Sequence, residues 1–371
     1  MIAELKKSWP AANRYFLSHS VGLPPRNLDD AIATRLLRPW QAANDEVWPQ
    51  WLARTTEFRA SIAALLNHDA QFVCPQNNVS TAVTKILGAL PGDRKRHVLL
   101  LSERAFPSLG FVFQQAEHSA FETRLIDQSY DTRNLQTWEQ HLSPDVRAVL
   151  LTHVHSNTGE CHDLEPVCEL ARKRGILTII DVAQSIGAVA TDVQQWQPDF
   201  VAGSCVKWLC GGPGAGFLWV NPNQLDACKP SDVGWFSHSN PFEFDIHNFE
   251  YADDATRFWG GTPSVAPFVI ASNSIEQLFA AGLDKVRSYN RALLAKIDTD
   301  VDPKYHRSPL DANHRGGTVV LNFGDAHEAV CQRLSEAGFQ FDRRLEGIRL
   351  SPHFYNDMDD VQQLIDCITS L

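Results

Sequence analysis

Residues 181–216 read DVAQSIGAVATDVQQWQPDFVAGSCVKWLCGGPGAG. The apolar run Ile176-Leu177-Thr178-Ile179-Ile180 stops directly before the acid Asp181. A second stretch, Phe200-Val201-Ala202, leads through Gly203-Ser204 to Lys207. A Gly-rich turn and a third apolar run, Phe217-Leu218-Trp219-Val220, follow. Short continuous apolar runs bounded by turn residues are the pattern of buried strands. An acid and a lysine at the ends of neighbouring strands are what a pyridoxal phosphate (PLP) site requires. The amine condenses with the aldehyde, and the acid keeps the pyridine nitrogen protonated so that the ring accepts electrons.

Upstream, His97 to Leu101 and RAVLLTHV at 147–154 read as two more buried strands. Between the second of these and the 176–180 run, DLEPVCELARKRG places Leu164, Val167, Cys168 and Ala171 on one helical face, with Asp163 as cap and Gly175 as stop. Strand, helix, strand at this spacing implies right-handed parallel crossovers, with ligands at the carboxyl ends of the strands. Two further segments belong at that edge. Phe72 to Thr81 ends in small and polar residues before AVTKILGAL, the announcement of a helix N-terminus. Such a terminus caps the helix and offers free N–H groups to a phosphate. Ala105-Phe106-Pro107-Ser108 puts an aromatic just past a strand.

The outer segments differ in character. Residues 14–25, RYFLSHSVGLPP, form a short strand or extended arm before a turn. Residues 28–66 read as largely helical, broken at Pro39 and Pro49, with Trp40, Trp48 and Trp51 assigned to core or interface packing. After residue 245 come the loop Arg257 to Pro263, a helical stretch from about Val265 to Ile297 interrupted near Gly282, a strand GTVVLNF, a helix near AHEAVCQRLSEAG, a loop FDRRLEG, a strand IRLSP and a final helix from about Asp359. This is the order of a small α+β domain.

Bulk properties narrow the function classes. At 371 residues, two domains are expected. With 33 basic and 44 acidic residues, net charge −11, and no extended Lys/Arg cluster, nothing favours nucleic acid. No window approaches a membrane span, and the N-terminus lacks a signal-peptide core. The eight scattered cysteines form no CxxC pair and read as free thiols in a cytoplasmic protein. The glycines 212, 214 and 216 are spaced GxGxG and precede a strand, so a dinucleotide-binding reading fails. His153, His155, Cys161, His162 and Asp163 invite a metal, but histidines at a strand end have other uses, and no metal is expected. Lys207 alone reads as a solvated strand end and Asp181 alone as a cap; the set of acid, lysine, helix start and aromatic gives them meaning.

Together these residues resemble the fold-type I PLP enzymes of the class V aminotransferase superfamily, across nearly the whole chain. Several stretches are most similar to kynureninase: AFPS at 105–108, DRRLEGIR from Asp342 to Arg349 followed by SPHFYN, SHSVGLPP near the start, and VGWFSH at 233–238. KWLC with its Gly-rich turn and FLWV resemble the isopenicillin N epimerase-like branch. Val206 stands where kynureninase has Tyr, and Gln184 where it has His. The resemblance implies an α/β fold with a large domain at 50–245, built on a mainly parallel sheet flanked by helices. Residues 1–49 and 246–371 would form an N-terminal arm and a small α+β domain.

The resemblance also implies roles. Lys207 would bind PLP as a Schiff base and Asp181 would pair with its ring nitrogen. Phe106 would stack on the ring, Val79, Ser80 and Ser204 would hold the phosphate, and Gln184 and Asn157 would reach the phenolic oxygen. Trp235 and Thr262 would reach a phosphate of the neighbouring subunit, implying a homodimer with active sites at the interface. Arg349 would grip the α-carboxylate of an amino-acid substrate. The implied activity is a kynureninase-like Cβ–Cγ hydrolase. Transaminase, epimerase or lyase outcomes on the same site are alternatives, as is a PLP-binding regulator without turnover. A desulfurase-type nucleophile is disfavoured because 339–349 contains no cysteine.

Overall fold

The computed structural model describes residues 2–42, 46–116 and 121–370. Seven strands form the central sheet: β1 Val73–Gln76, β2 Val98–Ser102, β3 Glu122–Ile126, β4 Val146–Thr152, β5 Leu177–Asp181, β6 Phe200–Ser204 and β7 Gly216–Val220. Their spatial order is β1-β7-β6-β5-β4-β2-β3. Pairing is parallel from β6 through β5, β4 and β2 to β3, and β7 is antiparallel to both of its neighbours. The apolar runs are continuous because both faces are covered. On β4, Val149 and Leu151 enter one core while Ala148 and Leu150 enter the other. Register brings the strand ends level: Thr152 lies opposite Asp181, and Asp181 opposite Ala202. Side chains past these ends therefore converge on one edge.

The second sheet has the order β8-β10-β9, with β8 Val319–Leu321, β9 Asp342–Arg344 and β10 Gly347–Leu350, all antiparallel. Its apolar face packs on helices Leu283–Asp300, His327–Glu336 and Met358–Thr369, through Leu293, Val319, Leu334, Ile348 and Leu364. The expected loop FDRRLEG is instead half of a hairpin, with Arg344 paired to Gly347 around a two-residue turn. Its charges hid it: β9 is an edge strand, and edge strands carry charge in place of apolar alternation. Gly282, at φ +83°, divides helices Ala266–Ala281 and Leu283–Asp300 as expected.

Near the N-terminus the helical reading needs one correction. Pro49 sits in the first turn of helix Trp48–Leu66, where no N–H is required. Pro39 does not break the chain. It lies within the helical segment Arg38–Ala42, directly after a π-helical turn, Ala33–Leu37, which accommodates the missing donor. Residues 43–45 lie outside the described residues. The arm at 14–25 bridges to the small sheet, with Tyr15 paired to Gln340 and Leu17 to Ser351. Among the described residues no helix is long and apolar enough to cross a membrane.

Candidate active site

A cavity of about 270 Å³ opens at the carboxyl ends of β4, β5 and β6. Asp181, Lys207, Phe106, Ser204, Gln184, Val79 and Ser80 all line it. They come from separate stretches of the sequence, and the parallel register of the strands collects them at one edge.

Asp181 is buried, and its Oδ1 accepts the Ala183 N–H at 2.8 Å. Burial raises its pKa above the ordinary carboxylate value, opposed by that N–H and by the charge of Lys207. Lys207 follows β6 by three residues. Burial lowers the pKa of its amine, with Asp181 opposing and Arg349 reinforcing the shift. The amine has no hydrogen-bond or ion-pair partner among the described residues; its Nζ lies 5.8 Å from the centroid of the Phe106 ring. Its backbone, by contrast, is held: the Gly22 N–H donates to Val206 O at 2.8 Å, and Cys210 N–H to Lys207 O at 3.0 Å. A Cβ at position 22 would overlap the Lys207 carbonyl oxygen, so the close approach requires glycine.

The phosphate end is a helix start. Asn78 caps helix Val79–Ala89, its side chain accepting from Thr81 N at 2.8 Å, and the first residues of that helix face the cavity. Gln184 donates from Nε2 to His19 O at 3.0 Å and accepts Trp208 Nε1–H at 3.4 Å. Arg349 comes from β10 of the small sheet. Its Nη1 donates to Ser156 O at 2.7 Å and its Nη2 to the Asp342 carboxylate. Arg349 is itself buried and does not line the cavity; its partner Ser156 does. Asn157 is exposed and does not line the cavity.

Trp235 and Thr262 are joined to each other, Trp235 Nε1 donating to Thr262 Oγ1 at 3.2 Å. They lie apart from the main cavity. Thr262 lines a separate one of about 210 Å³ with Asn77, Thr81, Lys85 and Asp232. Sequence reasoning passed over His19, whose Nδ1 lies 2.7 Å from Ser351 Oγ and whose pKa burial lowers to about 4. It also passed over Asp342 as a partner of Arg349. Both stand inside quoted motifs, but only the fold reveals whom they meet.

The profile described as Aminotransferase class-V matches residues 55–364. The chain belongs to the aminotransferase class-V family. It is a PLP-dependent enzyme. The donor set fits that cofactor: an unpartnered amine, a buried carboxylate, an aromatic face and a helix N-terminus share one cavity. When bound, PLP supplies an electron sink for charge developing at an amino-acid Cα. The kynureninase of Deinococcus radiodurans is 30% identical, with 90% of this chain and 83% of that protein covered. The uncharacterized aminotransferase YcbU of Bacillus subtilis is 26% identical, covering 87% and 85%. Among solved structures, an apo cysteine desulfurase of Thermococcus onnurineus NA1 superposes with TM-score 0.86 at 19% identity, covering 98% and 96%. That likeness is one of fold.

Proposed function

We propose that this enzyme acts on a free α-amino acid and cleaves its Cβ–Cγ bond in the manner of kynureninase. The observation that carries the amino-acid reading is the unpartnered Lys207 amine, in one cavity with Asp181 and within reach of the Arg349 fork. Lys207 would hold the cofactor, and its amine is placed to take the Cα proton of the substrate as general base. Its lowered pKa favours the neutral form this needs. Asp181 would hold the ring nitrogen, Phe106 would cover a ring face, and Val79, Ser80 and Ser204 would take the phosphate. Gln184 lies where it can donate to the phenolic oxygen, and Arg349 holds the α-carboxylate. Water added to the substrate γ-carbonyl then releases alanine and an aryl acid.

The likeness to the Deinococcus kynureninase supports this outcome over transamination, which the likeness to YcbU keeps as the second reading. No cysteine lines the cavity among the described residues, and Cys331 is buried in helix His327–Glu336, which speaks against persulfide chemistry. The same reading takes residues 50–245 as the cofactor domain. It takes the enzyme as a cytoplasmic homodimer in which Trp235 and Thr262 complete the partner's phosphate site.

The deciding experiment is an amino-acid panel including kynurenine and 3-hydroxykynurenine, with products identified by mass spectrometry. Alanine plus an aryl acid is expected. A keto acid formed from the substrate, with amino transfer to a second keto acid, would replace the hydrolase by an aminotransferase. Borohydride reduction followed by peptide mapping should place the cofactor on Lys207, and a label on any other lysine removes the assignment.

A further inference from the structure

Arg349 does not stand alone on its strand. In the β9–β10 hairpin it lies directly opposite Asp342, and directly opposed residues of an antiparallel pair project from the same face. The consequence is the contact of Nη2 with the Asp342 carboxylate, while Nη1 is held by the Ser156 carbonyl. The two acceptors come from different parts of the fold: Asp342 from the small sheet, Ser156 from the segment after β4. A guanidinium carries five N–H donors. These contacts use one on each terminal nitrogen, and the buried Nε has no partner. Asp342 is fixed in turn. Its Oδ2 accepts from Arg344 Nε at 3.2 Å and faces His19 Nε2 at 3.6 Å.

We infer that Asp342 is a positioning residue for substrate recognition: with the Ser156 carbonyl it pins the plane of the Arg349 guanidinium, whose remaining N–H donors serve the α-carboxylate. The inference rests on the reading of Arg349 as carboxylate anchor. Its physical basis is preorganisation. An arginine side chain has several rotatable bonds, and fixing them before the ligand arrives removes that ordering penalty from binding. Two acceptors on the terminal nitrogens fix the plane while leaving the Nε–H uncommitted. The clamp persists across the working range of pH. Burial alone would raise the pKa of Asp342, but His19, Arg349 and Arg344 hold it well below the ordinary carboxylate range.

The test does not need the natural substrate. Aminooxyacetate and methoxyamine both capture the cofactor carbonyl carbon, and only the first carries a carboxylate. The rate constant of each with the holoenzyme, read from loss of the visible cofactor band, gives a carboxylate preference as a ratio. Asp342→Ala is expected to lower that ratio about 10-fold, with methoxyamine little changed. Asp342→Asn, which still accepts from Nη2, should hold the ratio within about threefold of wild type. Arg349→Lys should lower it about 30-fold or more. If Arg349→Lys lowers the ratio and Asp342→Ala does not, the inference is wrong and the anchor stands. If Arg349→Lys leaves the ratio unchanged, the anchor reading fails and takes the inference with it. If Asp342→Ala slows both reagents equally, its role is general integrity of the fold, which also overturns the inference.

Discussion

Lys85 and Lys207 face two neighbouring cavities and are opposites. Lys85 is buried, and its ammonium donates to Phe258 O at 2.9 Å and Trp259 O at 2.7 Å, with Asp232 Oδ2 at 3.3 Å. An ammonium has three donors, and here all three have a partner. Lys207 is half-buried, has no hydrogen-bond or ion-pair partner among the described residues, and has its pKa lowered by burial. A fully paired buried cation is part of the framework. An unpaired one is disfavoured as a cation and free to form a bond. Burial of a lysine therefore says little by itself; the count of its partners separates the two roles.

The widest break of this contrast is Lys207→Ala. It should lower kcat by about 10⁴-fold, roughly 5 kcal/mol of barrier, while the urea midpoint stays near wild type. Retained turnover would place the reactive amine elsewhere. Lys85→Met should do the reverse. Two carbonyls and Asp232 lose their donor, so unfolding free energy is expected to fall by about 3 kcal/mol. Turnover per folded molecule should change by no more than a few-fold. If Lys85→Met abolishes turnover without loss of stability, the assignment of Lys85 to the framework is wrong.

The sequence carried the two sides of this contrast unequally. Asp181 and Lys207 were legible because each ends or follows an apolar run, and a parallel sheet brings such ends to one edge. Phe106 was legible for the same reason, and Val79 and Ser80 as the start of a helix. Lys85 was not: nothing in AVTKILGAL marks it out, and its carbonyl partners, Phe258 and Trp259, come from a loop more than 170 residues away. The Asp342–Arg349 pair was hidden by the apparent loop around it. Its register depends on a turn, Leu345-Glu346, that carries no Asn-Gly signature, and Leu345 at the tip is 95% exposed. His19 carries no signal within SHSVGLPP, because its partners, Ser351 and Asp342, are distant in the chain. Long-range pairing of charged groups leaves no periodic trace.

A smaller effect sharpens the Lys207 side. Its amine is free but its backbone is strapped by Gly22. Gly22→Ala places a methyl on the Lys207 carbonyl and on Cys210, which should destabilise the fold by about 2 kcal/mol through overpacking. Because the strap bears on Lys207 itself, cofactor retention should weaken as well, measured by dialysis of the holoenzyme. Stability lost with retention unchanged would show that the strap does not govern the lysine.

The smallest expected effect concerns the acid that faces Lys207, and its sign is opposite to the rest. Asp181 has a folded-state pKa raised by burial. Between its unfolded value, about 3.9, and that raised value, the folded protein binds more protons than the unfolded one. Stability of the cofactor-free protein therefore falls as pH rises through this window, and stays reduced above it. Asp181→Asn removes the titration while keeping an acceptor for the Ala183 N–H. The variant should match wild type in acid and exceed it by about 1 kcal/mol at neutral pH, read from urea unfolding of the stripped protein. With PLP present the order should invert in function, because a neutral amide cannot hold the ring nitrogen protonated, and turnover should fall. A variant that is less stable than wild type at neutral pH would mean that Lys207 already compensates Asp181. The contrast between a paired Lys85 and an unpaired Lys207 would then have to be redrawn as one between two paired lysines, one of them paired through space.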